Sequence, residues 1–238
     1  MSFTYYNQLN YKHITYANKE HPAATIATSG CGVCSIAMVL SVFDIKKQIE
    51  TLANYSIKIG ARVSTGTDMQ LLSNRIAADY NLKLELSNSI GTLKNAIEHN
   101  LVAICNVGGD RVGYKGIFSD SGHYIVVYGT HNGKAVVYDP YFYQNKYDKT
   151  YRQVVTVGKN NQLYCDFKYI EQDCSNRSPR YYIFSKGEKQ VEEITNVYDA
   201  IKLLSEKGII TNRDYWDKAV NYYKNIDFLL IKMANYIK

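Results

Sequence analysis

The chain has 238 residues, of which 46% are hydrophobic and 21% are charged. Such a chain buries enough apolar surface to fold by itself, so this composition excludes an intrinsically disordered protein. Its formal net charge of +6 favours anionic partners, whether nucleic acid, anionic lipid or a polyanionic wall polymer, without choosing among them.

The chain opens with a polar, aromatic stretch that we predict to form loops. It carries no basic segment followed by an apolar run, so we expect no signal peptide and synthesis in the cytoplasm. No window approaches a long uninterrupted apolar run, so no membrane span is predicted. The five cysteines are an odd number, which indicates reduced thiols rather than a disulfide framework.

Helical and extended patterns alternate through the first half of the chain. An apolar segment, Ser35–Phe43, follows the first two cysteines. A helix is predicted around Met69–Tyr80, after a turn, with Asp68 or Thr67 as its cap. Three further elements are predicted in chain order: a short strand at KLELS (83–87), a helix at Ile90–His99 and a buried strand at LVAICNV (101–107).

Strand patterns dominate the following part. The segment GHYIVVYGTHNGKAVVYDP (122–140) predicts a β-hairpin, because Asn132-Gly133 suits the two positive-φ positions of a type I′ turn. Further strands are predicted at YRQVVTV (151–157) and RYYIF (180–184). Helices that cluster early and strands that cluster late indicate an α+β fold rather than a doubly wound sheet.

A polar, charged stretch, Ser185–Ile194, is predicted to link two domains, residues 1–186 and 187–238. The apolar spacing after it is helical only and predicts three short helices. The second domain carries 8 Lys/Arg and 8 Asp/Glu, so the whole net charge lies in the first. Because so short a domain is marginal as an independent fold, we expect it to dock on the first or to self-associate.

The stretch TSGCGVCSIAMVLS (28–41) places Cys31 and Cys34 three positions apart. The spacing fits a redox pair at a helix start, although the polar lead-in differs from the apolar strand that normally precedes such motifs. A zinc site would need a second ligand pair, and Cys165 and Cys174 are widely spaced with no histidine near them. A role as small core residues suits Cys34 better than Cys31, which stands between two glycines.

A nucleophilic thiolate is the fourth interpretation, and it requires a histidine and a group that orients the histidine. His123 is the candidate base, because it opens the strand HYIVVYG and a rigid element would hold its ring. Asp139 ends the partner strand, so the hairpin brings it back beside His123. The other four histidines are interpreted as loop or surface residues: His13, His21, His99 and His131.

These segments resemble those of the C39-like cysteine peptidases, which belong to the papain-like superfamily. CGVCSIAMVL is similar to their nucleophile segment, and GHYIVVYG followed by VVYDP is similar to their His and Asp segments, in the same order. The resemblance implies a papain-like fold, in which a helix carrying Cys31 packs on an antiparallel sheet carrying His123 and Asp139. Val33 stands where the family commonly has proline, and no glutamine directly precedes the cysteine.

Among members of this family, the chain most resembles stand-alone lysins of phages that infect Gram-positive bacteria. That likeness implies a hydrolase acting through Cys31, His123 and Asp139 on an amide of the peptidoglycan stem peptide or of the glycan–peptide linkage. The lysin-like members carry a glutamine that stabilises the oxyanion in an early Tyr-Tyr-x-Gln segment, which matches YYNQ and nominates Gln8. The stretch EKGIITNRDYW resembles small helical modules of clostridial-type wall lytic enzymes, which implies wall binding or association by residues 187–238.

Two other functions stay open at this point: a thiol–disulfide oxidoreductase that uses Cys31 and Cys34, and a non-catalytic wall-binding protein. With the lysin resemblance, we expect action at the bacterial cell wall after release from the producing cell. We expect no cofactor, no metal and no nucleic-acid partner.

Overall fold

A computed structural model describes residues 3–187 and 194–238. The chain divides into two compact units, Met1–Gly187 and Glu188–Lys238. The linker that the sequence predicts at Ser185–Ile194 falls largely on residues 188–193, which lie outside the described residues.

Three of the six described helices of the first unit are predicted from the sequence, namely those that begin at Cys31, Met69 and Ile90. The six helices are α1 (Ile26–Ser29), α2 (Cys31–Val42), α3 (Ile49–Lys58), α4 (Met69–Asp79), α5 (Ile90–Glu98) and α6 (Phe167–Cys174). The predicted cap of α4 is confirmed, because the Asp68 side chain accepts a hydrogen bond of 2.9 Å from the backbone N–H of Leu71. Helix α2 begins at Cys31, so the cysteine pair lies within the helix.

The strands form a two-stranded hairpin and a seven-stranded antiparallel sheet. The hairpin is β1 (Arg62–Val63) with β2 (Gly66–Thr67). The sheet has the order β3-β9-β4-β5-β6-β8-β7 and consists of β3 (Leu82–Ser87), β4 (Val102–Val107), β5 (His123–His131), β6 (Lys134–Tyr138), β7 (Thr156–Val157), β8 (Leu163–Cys165) and β9 (Tyr181–Lys186).

The strand predicted at residues 151–157 is wrong over its first half. A 3₁₀ turn occupies Thr150–Arg152, and only Thr156–Val157 pair in the sheet. The cause is Arg152, which is 1% exposed and donates hydrogen bonds to the carbonyl oxygen of Gly116 and to Asp120. These interactions hold the segment in a turn, and the β-branched pattern alone does not reveal them.

The two faces of the sheet pack against different helices. Alternate strand residues such as Ile104 and Val126 share one core with α2, α3 and α4, whereas Cys105 and Ile125 share a second core with α5 and α6. Strand β4 is apolar on both sides because it lies in the middle of the sheet with helices on either face. This mixed helical and antiparallel architecture confirms the predicted α+β, papain-like fold class.

Strands β5 and β6 form the predicted hairpin, with Val127 paired to Val137. Asn132 and Gly133 have φ angles of 50° and 77°, as a type I′ turn requires. His123 is the first residue of β5, and Asp139 follows the last residue of β6, so both lie at the open end of the hairpin.

In its described residues the second unit consists of three helices, α7 (Val197–Glu206), α8 (Arg213–Ala219) and α9 (Ile226–Ile237). They enclose a small core of their own made of Ala200, Ile201, Leu204, Ile210, Leu230 and Ala234. The side-chain amide of Asn235 forms two hydrogen bonds with the backbone of Ile194: it accepts one from the N–H and donates one to the carbonyl oxygen. Within both described ranges, none of the helices combines the length and apolarity needed to cross a bilayer.

Candidate active site

Cys31 is the first residue of α2, so its side chain lies at the positive end of the helix dipole. Gly32 allows this helix end to approach the β1–β2 hairpin: a Cβ added at Gly32 would lie 2.8 Å from Cβ of Thr67 and 3.1 Å from Cε of Met69. The glycine after the cysteine is therefore required by packing, because a larger residue would push the helix end and the hairpin apart.

His123 and Asp139 meet as the hairpin geometry predicts. Nε2 of His123 lies 2.8 Å from Oδ1 of Asp139, and the two side chains are 6% and 0% exposed. A carboxylate in this position holds the ring in one orientation and stabilises its protonated form. Nδ1 is then the ring nitrogen left for another partner.

That partner is the thiol of Cys31, which forms a hydrogen bond with the His123 ring. The sulfur also accepts hydrogen bonds from the backbone N–H groups of Gly32 and Tyr124. Burial raises the pKa of the Cys31 thiol. The hydrogen bond and the charge of His123, together with the two backbone hydrogen bonds, outweigh burial and hold this pKa below its ordinary value. Burial lowers the pKa of His123, but the charge and hydrogen bond of Asp139, with Cys31 adding to them, raise it above its ordinary value. Both shifts favour a thiolate–imidazolium pair.

The carboxylate of Asp139 is fully buried and accepts hydrogen bonds from four donors. Oδ1 accepts from His123 and from the backbone N–H of Tyr141, whereas Oδ2 accepts from the ammonium of Lys146 and the hydroxyl of Tyr147. Burial raises the pKa of this carboxyl, but the charges of Lys146 and His123 and their hydrogen bonds hold it well below its usual range. Asp139 is therefore ionised throughout the neutral range.

Gln8 is buried beside this cluster, in the 3₁₀ turn Gln8–Tyr11. Its backbone N–H donates to the carbonyl oxygen of Pro140 at 2.7 Å, and its Nε2 donates to the carbonyl oxygen of Ala27 at 2.9 Å. Gln8 thus joins the residue after Asp139, through its backbone, to the segment before Cys31, through its side chain. Its Oε1 is buried and has no hydrogen-bond partner.

The two cysteines of the C-x-x-C spacing occupy different environments. Cys31 keeps some exposure, whereas Cys34 is 0% exposed in the core beneath it. Burial and the charge of Cys31 raise the pKa of the Cys34 thiol well above its ordinary value. Cys34 is a core residue, and only Cys31 has the surroundings of a reactive thiol. In residues 3–187 and 194–238, no cluster of three or more His, Cys, Asp or Glu side chains could hold a metal ion.

A cavity of about 460 Å³ lies directly before the cysteine-bearing helix. Thr28 and Ser29 form one wall, Thr65 of the β1–β2 turn contributes another, and residues 20–24 close the remaining side. The lining combines hydroxyls and small apolar groups with the side chains of Glu20 and His21, and Cys31 itself is not part of it.

Comparison with known families fits this geometry. The family model described as the Peptidase_C39 like family matches residues 1–169, which include Cys31, His123 and Asp139. The chain belongs to the C39-like peptidase family. This peptidase is therefore a cysteine hydrolase. A search of curated protein sequences finds no match.

Several solved structures are similar to this C39-like peptidase. The peptidase domain of ComA from Streptococcus, a bifunctional ABC transporter of a quorum-sensing pathway, is 16% identical, with a TM-score of 0.43 over 66% of this chain and 91% of that one. A C39-like peptidase from Bacillus anthracis is 14% identical, with a TM-score of 0.47 over 67% and 90%. A double-glycine motif protease from an AMS/PCAT transporter, in complex with its leader peptide, is 17% identical, with a TM-score of 0.39 over 65% and 82%.

Sequence reasoning missed two side chains of this C39-like peptidase that hydrogen-bond to the Asp139 carboxylate. Lys146 and Tyr147 reach Oδ2 from the segment YFYQNKY (141–147), which folds back over the end of the hairpin. The dense aromatic composition around a single lysine was a signal, but no periodicity shows that a loop returns to the residue where it began. Only the tertiary structure therefore shows that these two residues contact Asp139.

Proposed function

We propose that this protein is a peptidoglycan hydrolase in which Cys31 is the nucleophile, His123 the general acid and base, and Asp139 the residue that orients His123. The observation that carries the chemistry is the continuous chain of contacts from the Cys31 thiol through the His123 ring to the Asp139 carboxylate. This is the arrangement that cysteine-dependent acyl transfer requires.

In the proposed reaction the Cys31 thiolate attacks the carbonyl carbon of an amide. The tetrahedral intermediate collapses as the His123 imidazolium gives its proton to the leaving amine, which leaves a thioester on Cys31. His123, now neutral, takes a proton from water, and the resulting hydroxide attacks the thioester and releases the carboxylate product. The thiolate and the imidazolium are then restored, so protons balance over the cycle.

The developing oxyanion needs hydrogen-bond donors near the carbonyl oxygen. We assign the backbone N–H of Cys31, at the start of α2, as one donor, because the first N–H groups of a helix have no intrahelical acceptor. We assign the Nε2 amide of Gln8 as the other, since one of its two protons is already oriented by Ala27 and the second is available.

The proposed substrate is an amide of the stem peptide or of the linkage between peptide and glycan. Support comes from the resemblance to phage lysins of Gram-positive hosts and from the excess of positive charge in residues 1–186, which suits a wall rich in phosphate polymers. On this proposal the enzyme is made in the cytoplasm and acts on the wall after release, and its attraction to the wall weakens as salt is added.

The second unit is proposed to bind the wall or to mediate self-association. It exposes an unusual number of large apolar side chains for its size, among them Tyr222 (82% exposed), Tyr236 (92% exposed) and Phe228 (61% exposed). Exposed aromatic rings of this kind are suited to stacking on sugars or on a partner's apolar surface.

The deciding experiment is mass spectrometry of purified Gram-positive peptidoglycan after digestion, because each new terminus identifies the bond that is cut. We expect new amine and carboxyl ends from the wild-type protein, none from Cys31→Ala, and most of the wild-type yield from the matched variant Cys34→Ala. If the peptidoglycan stays intact although Cys31 is reactive, the assignment of peptidoglycan as the substrate is wrong. If Cys31→Ala keeps most of the wild-type yield and Cys34→Ala gives none, the assignment of Cys31 as the nucleophile is wrong.

A further inference from the structure

The carboxylate of Asp139 lies between two cations, and only one of them belongs to the proposed triad. We infer that Lys146 is a positioning residue whose ammonium holds Asp139 in place and offsets part of the negative charge that Asp139 presents to His123. In this way Lys146 sets the pH range over which the Cys31–His123 ion pair exists. The inference rests on the proposed function for the roles of Cys31 and His123, but not on the identity of the substrate.

The geometry of Lys146 is that of a buried charge with two hydrogen-bond acceptors and a shell of aromatic rings. Its side chain is 2% exposed, forms an ion pair with Oδ2 of Asp139, and donates a 3.0 Å hydrogen bond to the carbonyl oxygen of Tyr141. Three tyrosine rings surround the ammonium, with Nζ at 5.3, 6.0 and 5.7 Å from the ring centroids of Tyr141, Tyr143 and Tyr147. The site is therefore built for a cation.

Stability alone does not account for a lysine here. Taking an ammonium and a carboxylate out of water carries a large desolvation cost, and apolar residues of similar volume are often as stabilising as a buried pair. What an apolar residue cannot do is place a positive charge on the side of Asp139 opposite His123. The electrostatic consequence for the histidine is the property that distinguishes lysine from a packing residue.

No other ionised group from the surrounding described residues takes over this role. Arg152, which donates to the Lys146 carbonyl oxygen at 3.4 Å, is itself paired with Asp120 at 2.6 Å. Around His123 lie Asp139, the Cys31 thiol and the edge of the Tyr141 ring, at 6.4 Å between centroids. The phenol of Tyr147 donates to Asp139 at 2.6 Å and stays neutral, since burial raises its pKa.

Removing the charge of Lys146 has a defined direction. The full negative charge of Asp139 would then act on His123, so the imidazolium would persist to higher pH. Asp139 would also protonate at a higher pH, because the cation that favours its ionised form is gone. Both effects move the pH range of the ion pair upward, by about one pH unit for a charge that acts on His123 from across the Asp139 carboxylate in a partly screened site.

The test is the rate at which iodoacetamide alkylates Cys31 in the full chain, measured from acid to alkaline pH, with Cys31→Ala subtracted as background. Wild type is compared with Lys146→Gln, which keeps a donor and removes the charge, with Lys146→Arg, which keeps the charge, and with Tyr147→Phe. Tyr147→Phe removes a neutral hydrogen bond to the same Oδ2. This readout needs no substrate, so it is independent of whether peptidoglycan is cleaved.

The alkaline limb is the part of the rate profile in which His123 loses its proton and the ion pair ends. We expect this limb to lie about one pH unit higher in Lys146→Gln than in wild type, and to coincide with wild type in Lys146→Arg and Tyr147→Phe. A Lys146→Gln limb at the wild-type position overturns the inference while leaving the ion pair intact. Equal shifts in all three variants overturn it in favour of packing. A wild-type profile with no thiolate below the ordinary thiol range overturns both the inference and the proposed pair. If Lys146→Gln does not fold, Lys146→Arg decides: a limb in place supports the inference and a displaced limb overturns it.

Discussion

At the scale of single residues, the site depends on charges that stabilise one another away from water. The thiol and the ring each favour the ionised form of the other, and Asp139 favours the ionised ring. Asp139 is in turn held ionised by Lys146 and His123. A change at any of these positions is therefore expected to alter the titration of its neighbours as well as its own contact.

Gln8 is predicted to contribute to turnover rather than to the ion pair. Replacing it with alanine removes one oxyanion donor, which is worth about 2.7–4 kcal/mol in the transition state, so kcat is expected to fall about 10²–10³-fold. The measurement is turnover on a defined peptidoglycan fragment, with the alkylation rate of Cys31 as control. A Gln8→Ala protein with full turnover would remove Gln8 from the mechanism.

Asp139→Asn is predicted to destabilise the first unit in a pH-dependent way. It leaves the Lys146 ammonium buried without its counter-ion, which typically costs about 3–5 kcal/mol in free energy of unfolding. Because the fold holds the pKa of Asp139 below its ordinary value, this stabilisation is complete above the ordinary carboxyl range and is lost as the pH falls towards the folded value.

Urea unfolding of the two proteins at neutral and at acid pH tests this prediction. The difference in free energy of unfolding between wild type and Asp139→Asn should be largest at neutral pH and should shrink on acidification. A difference that stays constant with pH would mean that the carboxylate charge does not stabilise the fold. The double variant Asp139→Asn/Lys146→Met should recover part of the lost stability, since no unpaired cation remains.

At the scale of elements, the position of the thiol depends on how closely α2 approaches the β1–β2 hairpin. The helix is buried along nearly its whole length, from Gly32 to Val42, so it has little freedom to shift within the core. Thr67 at the end of the hairpin also binds the buried hydroxyl of Tyr16 at 2.8 Å. The hairpin is therefore a fixed surface against which the helix start is placed.

Gly32→Ala is predicted to displace the thiol without removing any catalytic group. Its Cβ would lie 2.8 Å from Cβ of Thr67, closer than two such atoms can approach, so the helix start or the hairpin must move. We expect at least a tenfold fall in kcat/KM, because small displacements of reacting groups have large effects. Steady-state kinetics measures it.

Gly66→Ala is the matched control for this prediction. Gly66 lies in the same hairpin, where an added Cβ has no atom within 4 Å. It is expected to behave nearly as wild type does. Similar losses in both variants would show that hairpin flexibility, and not the contact with Thr67, limits the reaction.

At the scale of the whole molecule, each unit has its own apolar core, and charge is divided unevenly between the two sequences. The first unit contains every residue assigned to the chemistry. The second contributes exposed aromatic side chains and a balanced charge. The proposed roles follow this division, with catalysis assigned to the first unit and wall binding or association to the second.

Deleting residues 190–238 is predicted to reduce lysis of intact cells at least tenfold and to leave cleavage of soluble wall fragments within about twofold of wild type. The reason is effective concentration, since a wall-binding module raises the local amount of substrate without touching the reacting bond. Turbidity loss of a cell suspension and fragment hydrolysis measure the two activities. Equal losses on both substrates would assign the second unit a structural role.

Local sequence was enough to predict the elements that build the site. The Asn132-Gly133 turn starts the hairpin and so brings Asp139 back towards His123. The register at the open end also depends on a shift of the pairing between Val127 and Thr130, which the turn does not predict. The glycine-flanked cysteine at the start of an apolar run likewise indicates a thiol at a helix end. Both features depend on residues close together in the chain, where periodicity and turn chemistry are informative.

Tertiary structure alone decided what surrounds these groups. The return of Lys146 and Tyr147 to Asp139, the contact of Gly32 with Thr67 and the turn that Arg152 imposes all join residues through packing. Such contacts depend on the shape and charge of the whole core, and no pattern within a single segment predicts them. The sequence by itself therefore determined which groups could react, and the folded chain decided how their charges are balanced, because burial and long-range pairing arise only when the segments meet.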